Sequence, residues 1–222
     1  MKLVLIAPMN GGKGSLARGI TEKYGIPGIS TGDLLRAEIA NNTKLGKSAK
    51  EYMDGGKLVP DELVIKMLFE RIGAVDCKNG FILDGFPRTL AQAKALEDVT
   101  KIDAVVHLDV PDWLVKARAE GRETCTADAC GKIWSKRYEG YKPGICGDCG
   151  AVTKKRGDDK DPASVQKRLD EYHHQSGSVL KYYRDRGVLF TTKVETMDVV
   201  PAETFKIVDD GCLRKLGGRF GK

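Results

Sequence analysis

The sequence has no apolar stretch long enough to cross a lipid bilayer. A spanning helix needs about 18 consecutive apolar residues, whereas the first hydrophobic run, residues 3–7, leads directly into a glycine-rich turn. That run is also too short for the core of a secretory signal peptide. We therefore expect a cytoplasmic protein that has no membrane partner.

Histidine and aromatic side chains are scarce: the 222 residues include three histidines, and the aromatic content is 7%. The cysteine-rich part of the chain at residues 122–159 has few aromatic rings on which nucleic-acid bases could stack, namely Trp134, Tyr138 and Tyr141. The net charge of +6 favours anionic partners such as nucleotides, nucleic acid or a membrane surface, without choosing among them. The hydrophobic content of 41% is typical of a globular protein, and the length of 222 residues suits one core domain with insertions or at most two small domains.

Short, uninterrupted apolar runs recur along the chain, at residues 3–7, 26–30, 81–84, 104–110 and 188–194. Such runs are typical of parallel strands that are buried on both faces and joined by helical crossovers. Helical patterns lie near residues 13–24, 33–41, 60–73, 89–98, 112–119, 162–186 and 202–215. The pattern predicts an α/β fold, with a doubly wound parallel sheet of five strands.

Two segments interrupt this pattern. Residues 30–59 fit a helical insertion after the second strand, and residues 122–159 are rich in Cys, Gly, Lys and Asp but lack an apolar period. We expect both to be inserted subdomains, on a core domain formed by residues 1–29, 60–121 and 160–222.

The loop after the first strand contains Gly11, Gly12, Lys13, Gly14 and Ser15 and leads into a helical pattern. A glycine-rich turn of this kind directs backbone N–H groups and the positive end of the helix dipole at one point. Lys13 adds a charge for the outer phosphates of a nucleotide, and the Ser15 hydroxyl can bind Mg²⁺ or a phosphate oxygen. The sequence therefore predicts a phosphate-binding loop.

Asp84 and Arg88 follow the third predicted strand. Ligands of open α/β sheets bind at the carboxyl ends of the strands. There, Asp84 can hold Mg²⁺ through water and Arg88 can bind a phosphate through two hydrogen bonds.

Three further motifs are ISTGD at residues 29–33, LVPDE at 58–62 and LDGFPRT at 83–89. With these motifs and Lys13 in place, the chain resembles the adenylate kinase family of the long-lid bacterial type over residues 2–210. The resemblance implies a P-loop nucleotide kinase that catalyses ATP + AMP = 2 ADP with Mg²⁺ and serves adenine nucleotide homeostasis. It implies ATP and AMP as partners, and we expect a monomer that does not bind nucleic acid.

The resemblance also implies a role for individual residues. The ATP-binding residues would be Gly11, Gly12, Lys13, Gly14, Ser15, Arg118 and Arg122. The AMP-binding residues would be Thr31, Gly32, Arg36, Val59, Gly85, Arg88, Gln92, Arg156 and Arg168. Those that stabilise the transferring group would be Lys13, Arg88, Arg122, Arg156 and Arg168, with Asp84 holding Mg²⁺ through water.

In the family that this chain resembles, the inserted segment at residues 122–159 corresponds to the lid. The phosphate loop and this lid segment depart from the family pattern. Ala7, Met9 and Asn10 stand where the family usually has Gly, Pro and Gly, and Glu123 stands where a second arginine is common. A side chain at position 10 either strains a positive φ angle, which Asn tolerates better than most residues, or crowds the phosphates.

Four of the six cysteines fall within residues 122–159, as Cys125, Cys130, Cys146 and Cys149. Two pairs that bracket a short loop are typical of a structural tetrahedral Zn²⁺ site, and iron or cobalt remain alternatives. Many long-lid members of the family have a two-residue gap in the first pair, whereas this gap has four residues. If Cys125 does not reach the metal, Asp128 could complete the site.

Two rival functions remain open from the sequence. One is a kinase whose acceptor is another nucleoside monophosphate (GMP, UMP or CMP). Thr31 and Gln92 favour AMP over these acceptors. The other is a nucleic-acid-binding protein built on a zinc ribbon, with lysines at 132, 136, 142, 154 and 155 as its basic groups.

Overall fold

The computed structural model describes residues 1–55, 57–127, 130–136, 140–155, 159, 161–195, 201–214 and 216. Its strands are β1 (Lys2–Ile6), β2 (Gly28–Ser30), β3 (Phe81–Asp84), β4 (Ala104–Asp109), β5 (Arg122–Cys125), β6 (Ile133–Ser135), β7 (Thr153–Lys154) and β8 (Leu189–Lys193). Its helices are α1 (Lys13–Tyr24), α2 (Thr31–Ala40), α3 (Lys44–Asp54), α4 (Asp61–Ile72), α5 (Leu90–Val99), α6 (Asp112–Glu120), α7 (Pro162–Asp185) and α8 (Pro201–Val208). No helix within these ranges is long and apolar enough to cross a membrane.

The predicted five-stranded parallel sheet is confirmed, with strand order β2-β3-β1-β4-β8. Along β1, Leu3 and Leu5 belong to the apolar core on one face, while Val4 and Ile6 belong to the core on the other. Because both faces are covered by helices, the strand is apolar at each of residues 3–6, which explains the uninterrupted run in the sequence. β1 pairs with both β3 and β4, so the loop after β1 lies at the centre of the sheet's carboxyl edge.

The insertion at residues 30–59 contains two helices, where the sequence pattern predicted one at residues 33–41. Ser30 caps α2, its hydroxyl accepting from the Asp33 N–H, and Thr43 caps α3 in the same way, accepting from the Gly46 N–H. A Cβ at Gly46 would overlap the backbone of Glu38. The two helices can therefore pack this closely because position 46 has no side chain.

The cysteine-rich segment forms a small antiparallel sheet in which β5 lies between β6 and β7. Its interior contains the buried side chains of Cys125, Trp134 and Cys146. The Glu123 carboxylate accepts hydrogen bonds from the Tyr141 hydroxyl at 2.8 Å, the Gly144 N–H at 3.1 Å and the Thr153 hydroxyl. In place of the arginine common in the family, this chain thus has an acceptor that joins β5 to β7 and to the loop at residues 141–144.

Candidate active site

The loop after β1 wraps around the start of α1. The helix begins at Lys13, and its N-cap residue Gly12 has a φ of 97°, a left-handed conformation that glycine adopts without a steric cost. No described side chain caps this helix, so its first N–H groups are available to a ligand. With the positive end of the helix dipole, they form an anion-binding site.

Lys13 lies at the base of this loop. Its Nζ donates to the carbonyl oxygens of Ala7 and Pro8, both at 2.9 Å. Burial lowers the pKa of Lys13 to about 8, and the nearby positive charges act in the same direction, while Asp84 opposes them. Those positive charges belong to Arg88, Arg168 and Arg122. The predicted catalytic cations within the described residues therefore converge on one point.

The turn after β3 places Asp84 and Arg88 beside the phosphate loop. Asp84 is in register with Leu5 of β1, and its Oδ2 lies 4.0 Å from the position that a Cβ on Gly14 would take. Gly85 has a φ of 82°, and a Cβ there would come within 2.9 Å of the Thr31 Oγ1. The Arg88 Nε donates to the Gly85 carbonyl at 2.8 Å, which fixes the plane of its guanidinium group.

The residues expected to bind AMP line one side of the same cleft. The Arg36 guanidinium lies over Gly32, because both of its terminal nitrogens are 3.3 Å from the Cβ position of that glycine. It also forms an ion pair with Asp33. The set that the structure brings together here comprises Thr31, Gly32, Arg36, Val59, Gly85, Arg88 and Gln92.

A buried carboxylate holds two of the lid-side arginines. Asp159 accepts from the Arg122 Nε at 2.6 Å, and its other oxygen lies 3.5 Å from a terminal nitrogen of Arg168. The Asp159 side chain is fully buried, so both guanidinium groups are fixed before a ligand arrives. The predicted site residue Arg156 and the alternative metal ligand Asp128 lie outside the described residues.

Asn10 occupies the unusual position of the phosphate loop. Its φ is 56°, which confirms the expected positive angle. Both polar atoms of its side chain are buried without a hydrogen-bond partner among the described residues, and its carbonyl accepts from Arg118 at 3.3 Å. Arg118 therefore lies against the loop that follows β1.

Replacing Asn10 with glycine should tighten ATP binding. Glycine adopts this φ freely, and the change removes an unpartnered amide from beside the N–H groups of the loop. Calorimetric titration with ATP would measure the effect. The control is Asn10→Ala, which also removes the amide but keeps a Cβ in a conformation that disfavours one by about 1–2 kcal/mol. Unchanged or weaker ATP binding by Asn10→Gly would contradict this account.

Together these groups line one cleft of about 1080 Å³. Pockets for a single small ligand usually have volumes of about 300–1,000 Å³, so this cleft lies at the upper end of that range. Its lining includes the phosphate loop with Ser15, the first residues of α2 (residues 31–36, here called the α2 side) and β6 of the lid. Basic side chains outnumber acidic ones around it, as two phosphorylated ligands require.

The four lid cysteines come together, Cys125 included. Their sulfur atoms all lie within 4.8 Å of one another, with 3.5 Å between Cys125 and Cys149 and 3.7 Å between Cys130 and Cys146. In a tetrahedral site with Zn–S bonds of about 2.3 Å, adjacent sulfurs are about 3.8 Å apart. The four cysteines are therefore positioned to bind a metal, and the longer first gap does not keep Cys125 away.

The environment of Cys146 favours its thiolate. Burial opposes ionisation, but N–H groups of Cys149, Asp148 and Trp134 outweigh it and lower the pKa of Cys146 to about 6. The Trp134 indole N–H donates to the sulfur at 3.2 Å. A thiolate held in this way is the form that binds a metal.

Asp159 and Asp61 were not among the residues predicted for the site. Asp159 contacts two predicted arginines, and Asp61 contacts Gln92. Asp159 is near Arg156 in the sequence, which was the only signal for it. Asp61 is part of the LVPDE motif, but nothing in that motif indicates which side chain it contacts.

The fold and the site together define a nucleotide kinase with a phosphate-binding loop. The family model described as "Adenylate kinase" matches residues 5–188. The adenylate kinase of Caldicellulosiruptor saccharolyticus is 47% identical over 197 residues, covering 86% of this chain and 90% of its own length. Those of Archaeoglobus fulgidus and Lachnospira eligens are 46% and 42% identical, covering 86% and 94% of this chain and 89% and 100% of their own lengths. The chain belongs to the adenylate kinase family.

Proposed function

We propose that this protein transfers a phosphoryl group reversibly between ATP and AMP, giving two ADP. The observation that carries the proposal is the convergence of Lys13, Arg88, Arg122 and Arg168 at the carboxyl edge of the sheet. They line the cleft that the phosphate loop and α2 share. Phosphoryl transfer depends mainly on holding two anions in line and stabilising the charge that spreads over the transferring oxygens.

Each side of the cleft has its own task in this proposal. The loop from Gly11 to Ser15 holds the ATP phosphates, with Arg118 against the adenine. The α2 side holds AMP, and Arg88 grips its phosphate. Mg²⁺ bound with ATP supplies charge neutralisation, and Asp84 would hold it through water. Lys13, Arg122 and Arg168 stabilise the transferring group, and Arg156 completes this set.

The three parts of the chain divide these tasks. Residues 1–29, 60–121 and 160–222 form the core with the phosphate loop. Residues 30–59 bind AMP, and residues 122–159 act as a lid over the donor. Enzymes of this class close a lid to exclude water from the reaction. We further propose that the protein works as a monomer in the cytoplasm.

The lid cysteines would hold Zn²⁺ in a purely structural role. Four thiolates close a tetrahedral shell, so the metal would have no position left for a substrate. The lid has only a small apolar interior, and a metal compensates for that. Iron and cobalt can use the same ligands, and metal analysis of the purified protein distinguishes them.

Stripping the metal should lower the melting temperature and the rate together. Loss of a few kcal/mol of lid stability corresponds to about 5–10 °C for a chain of this length. The rate should fall because Arg122 is then held less firmly, not because an electrophile has been removed. Cys146→Ser should have the same effect as a chelator, whereas Cys212→Ser, which lies outside the cluster, should not. A metal-free preparation with an unchanged melting temperature and rate would overturn the structural role.

Assays with four different nucleoside monophosphates as acceptors test the proposed reaction. Steady-state transfer from ATP to AMP, GMP, UMP and CMP should show the highest kcat/KM with AMP. A higher value with another monophosphate would favour the rival kinase. Binding to nucleic acid is disfavoured by the lid itself, because Trp134 is buried against Cys146 and the Tyr141 hydroxyl is bonded to Glu123. The Tyr141 ring is also partly buried against the cysteine cluster, so little of either ring's surface is open to base stacking.

A further inference from the structure

The side-chain amide of Gln92 is held at both of its ends. Its Oε1 accepts from the backbone N–H of Arg88 at 2.7 Å, and its Nε2 donates to Asp61 Oδ1 at 2.6 Å. Gln92 is 3% exposed and lines the acceptor side of the cleft. Asp61 lies behind it, as the first residue of α4.

Thr89 joins the same network. Its hydroxyl donates to Asp61 Oδ2 at 2.7 Å and accepts from the Gln92 backbone N–H at 3.1 Å. Both carboxylate oxygens of Asp61 are therefore used, and they tie the start of α4 to the first turn of α5. The backbone and the side chain of Gln92 are held by one connected set of hydrogen bonds.

This network fixes which way round the Gln92 amide lies. A carboxylate only accepts hydrogen bonds and a backbone N–H only donates them. Turning the amide over would place its carbonyl oxygen against Asp61 and its NH₂ group against the Arg88 N–H. Both contacts would become repulsive in a buried place, where an unmade hydrogen bond is most unfavourable.

One donor and one acceptor of the amide remain for a ligand. An amide nitrogen has two N–H groups and a carbonyl oxygen has two lone pairs, and the network uses one of each. Adenine presents a donor (its amino group) beside an acceptor (N1), which matches this fixed pair. Guanine presents the reverse order, an acceptor (O6) beside a donor (N1–H). Its acceptor would then face the amide oxygen, and its donor would face the amide N–H. Cytosine has the order of adenine, and uracil has that of guanine.

We propose that Asp61 is a positioning residue that sets the base selectivity of the acceptor site, by holding the Gln92 amide in the orientation that reads adenine. The proposal rests on the proposed function, because it requires the base of the acceptor to lie against Gln92. Asp61 itself does not line the cleft and acts only through Gln92. Its loss should therefore change the discrimination between bases more than the rate with AMP.

The test is Asp61→Asn, which keeps the shape of the side chain. The new amide can either accept from Gln92 or donate to it, so one of the two constraints on the Gln92 orientation disappears. The ratio of kcat/KM for AMP to that for GMP should fall by about tenfold or more, since hydrogen-bonding sites discriminate through their unpaired partners. The KM for ATP should stay unchanged. The kcat/KM for CMP, whose base has the same donor and acceptor order as adenine, should not rise as that for GMP does.

Glu62→Gln is the matched control. Glu62 is the next residue of α4 and is exposed, so its replacement removes the same charge from the same helix end. Its AMP-to-GMP ratio should equal that of the wild type. A ratio that stays within twofold of the wild type in Asp61→Asn would overturn the proposal, as would an equal fall in Glu62→Gln.

Two further measurements separate the possible failures. Turnover of AMP by the wild type tests the proposed function alone, and a changed ratio in Gln92→Leu tests whether the base lies at that residue. If Asp61→Asn does not fold, NMR of the wild type replaces it. A Gln92 side-chain N–H that exchanges slowly with solvent supports the network, and exchange as fast as that of an exposed amide would overturn it.

Discussion

Arg88→Lys is expected to lower kcat by about 100-fold while leaving the fold intact. The Arg88 Nε is bonded to the Gly85 carbonyl, and a planar guanidinium group carries five N–H donors in a fixed fork geometry. A lysine has a single nitrogen and cannot hold the loop and grip a phosphate in a plane at once. The lost interaction is one that strengthens as charge develops in the transition state, so the fall should appear in kcat.

Single-turnover and steady-state rates with ATP and AMP would measure this effect. The matched control is Arg71→Lys, an arginine of α4 that pairs with Asp76 outside the cleft, and its rate should stay close to that of the wild type. A near-normal rate with Arg88→Lys would remove Arg88 from the reaction.

Lys13→Met should be at least as damaging. It removes the cation of the phosphate loop, which lies where the other cations of the site converge. A methionine of similar length fills the space but leaves the loop without a charged donor to the phosphates. We expect a loss of about 100- to 1,000-fold in kcat/KM, and Lys181→Met, on the exposed face of α7, should have no such effect.

The pKa of Lys13 provides a second readout for the same variant. Burial lowers this pKa to about 8, so the free protein loses the charge as the pH rises through 8. ATP affinity should therefore fall from pH 7 to 9, and ATP binding above pH 8 should take up protons, because the bound anion favours the charged lysine. Calorimetry in buffers of different ionisation enthalpy would detect the uptake, and Lys13→Met should abolish it. A wild type without proton uptake would contradict this assignment of the pKa.

The core of the fold could be predicted from the sequence because its pattern is local. The strand at residues 104–110 is apolar at five of its seven positions, since β4 is buried on both faces, and a seven-residue window reveals this. The lid strands β5, β6 and β7 have four, three and two residues, which leaves no period to detect. They depend on the cysteine cluster and on Glu123, whose partners are 18 to 30 residues away.

The candidate site residues could be proposed from the sequence for a similar reason. The residues that would touch substrate lie in contiguous motifs, such as the loop around Lys13 and the turn around Arg88. The carboxylates that position them are specified by contacts distant in the chain, with 31 residues between Asp61 and Gln92 and 37 between Arg122 and Asp159. Only the folded structure brings these partners together.

The central claim is tested most directly by following the phosphorus resonances of ATP, AMP and ADP in one mixture with Mg²⁺. The account predicts that ATP and AMP disappear in equal amounts while two ADP form for each pair. Starting from ADP alone should lead to the same equilibrium mixture, and Lys13→Met should scarcely react in either direction. Loss of ATP with release of inorganic phosphate, or no ADP formed from AMP, would contradict it.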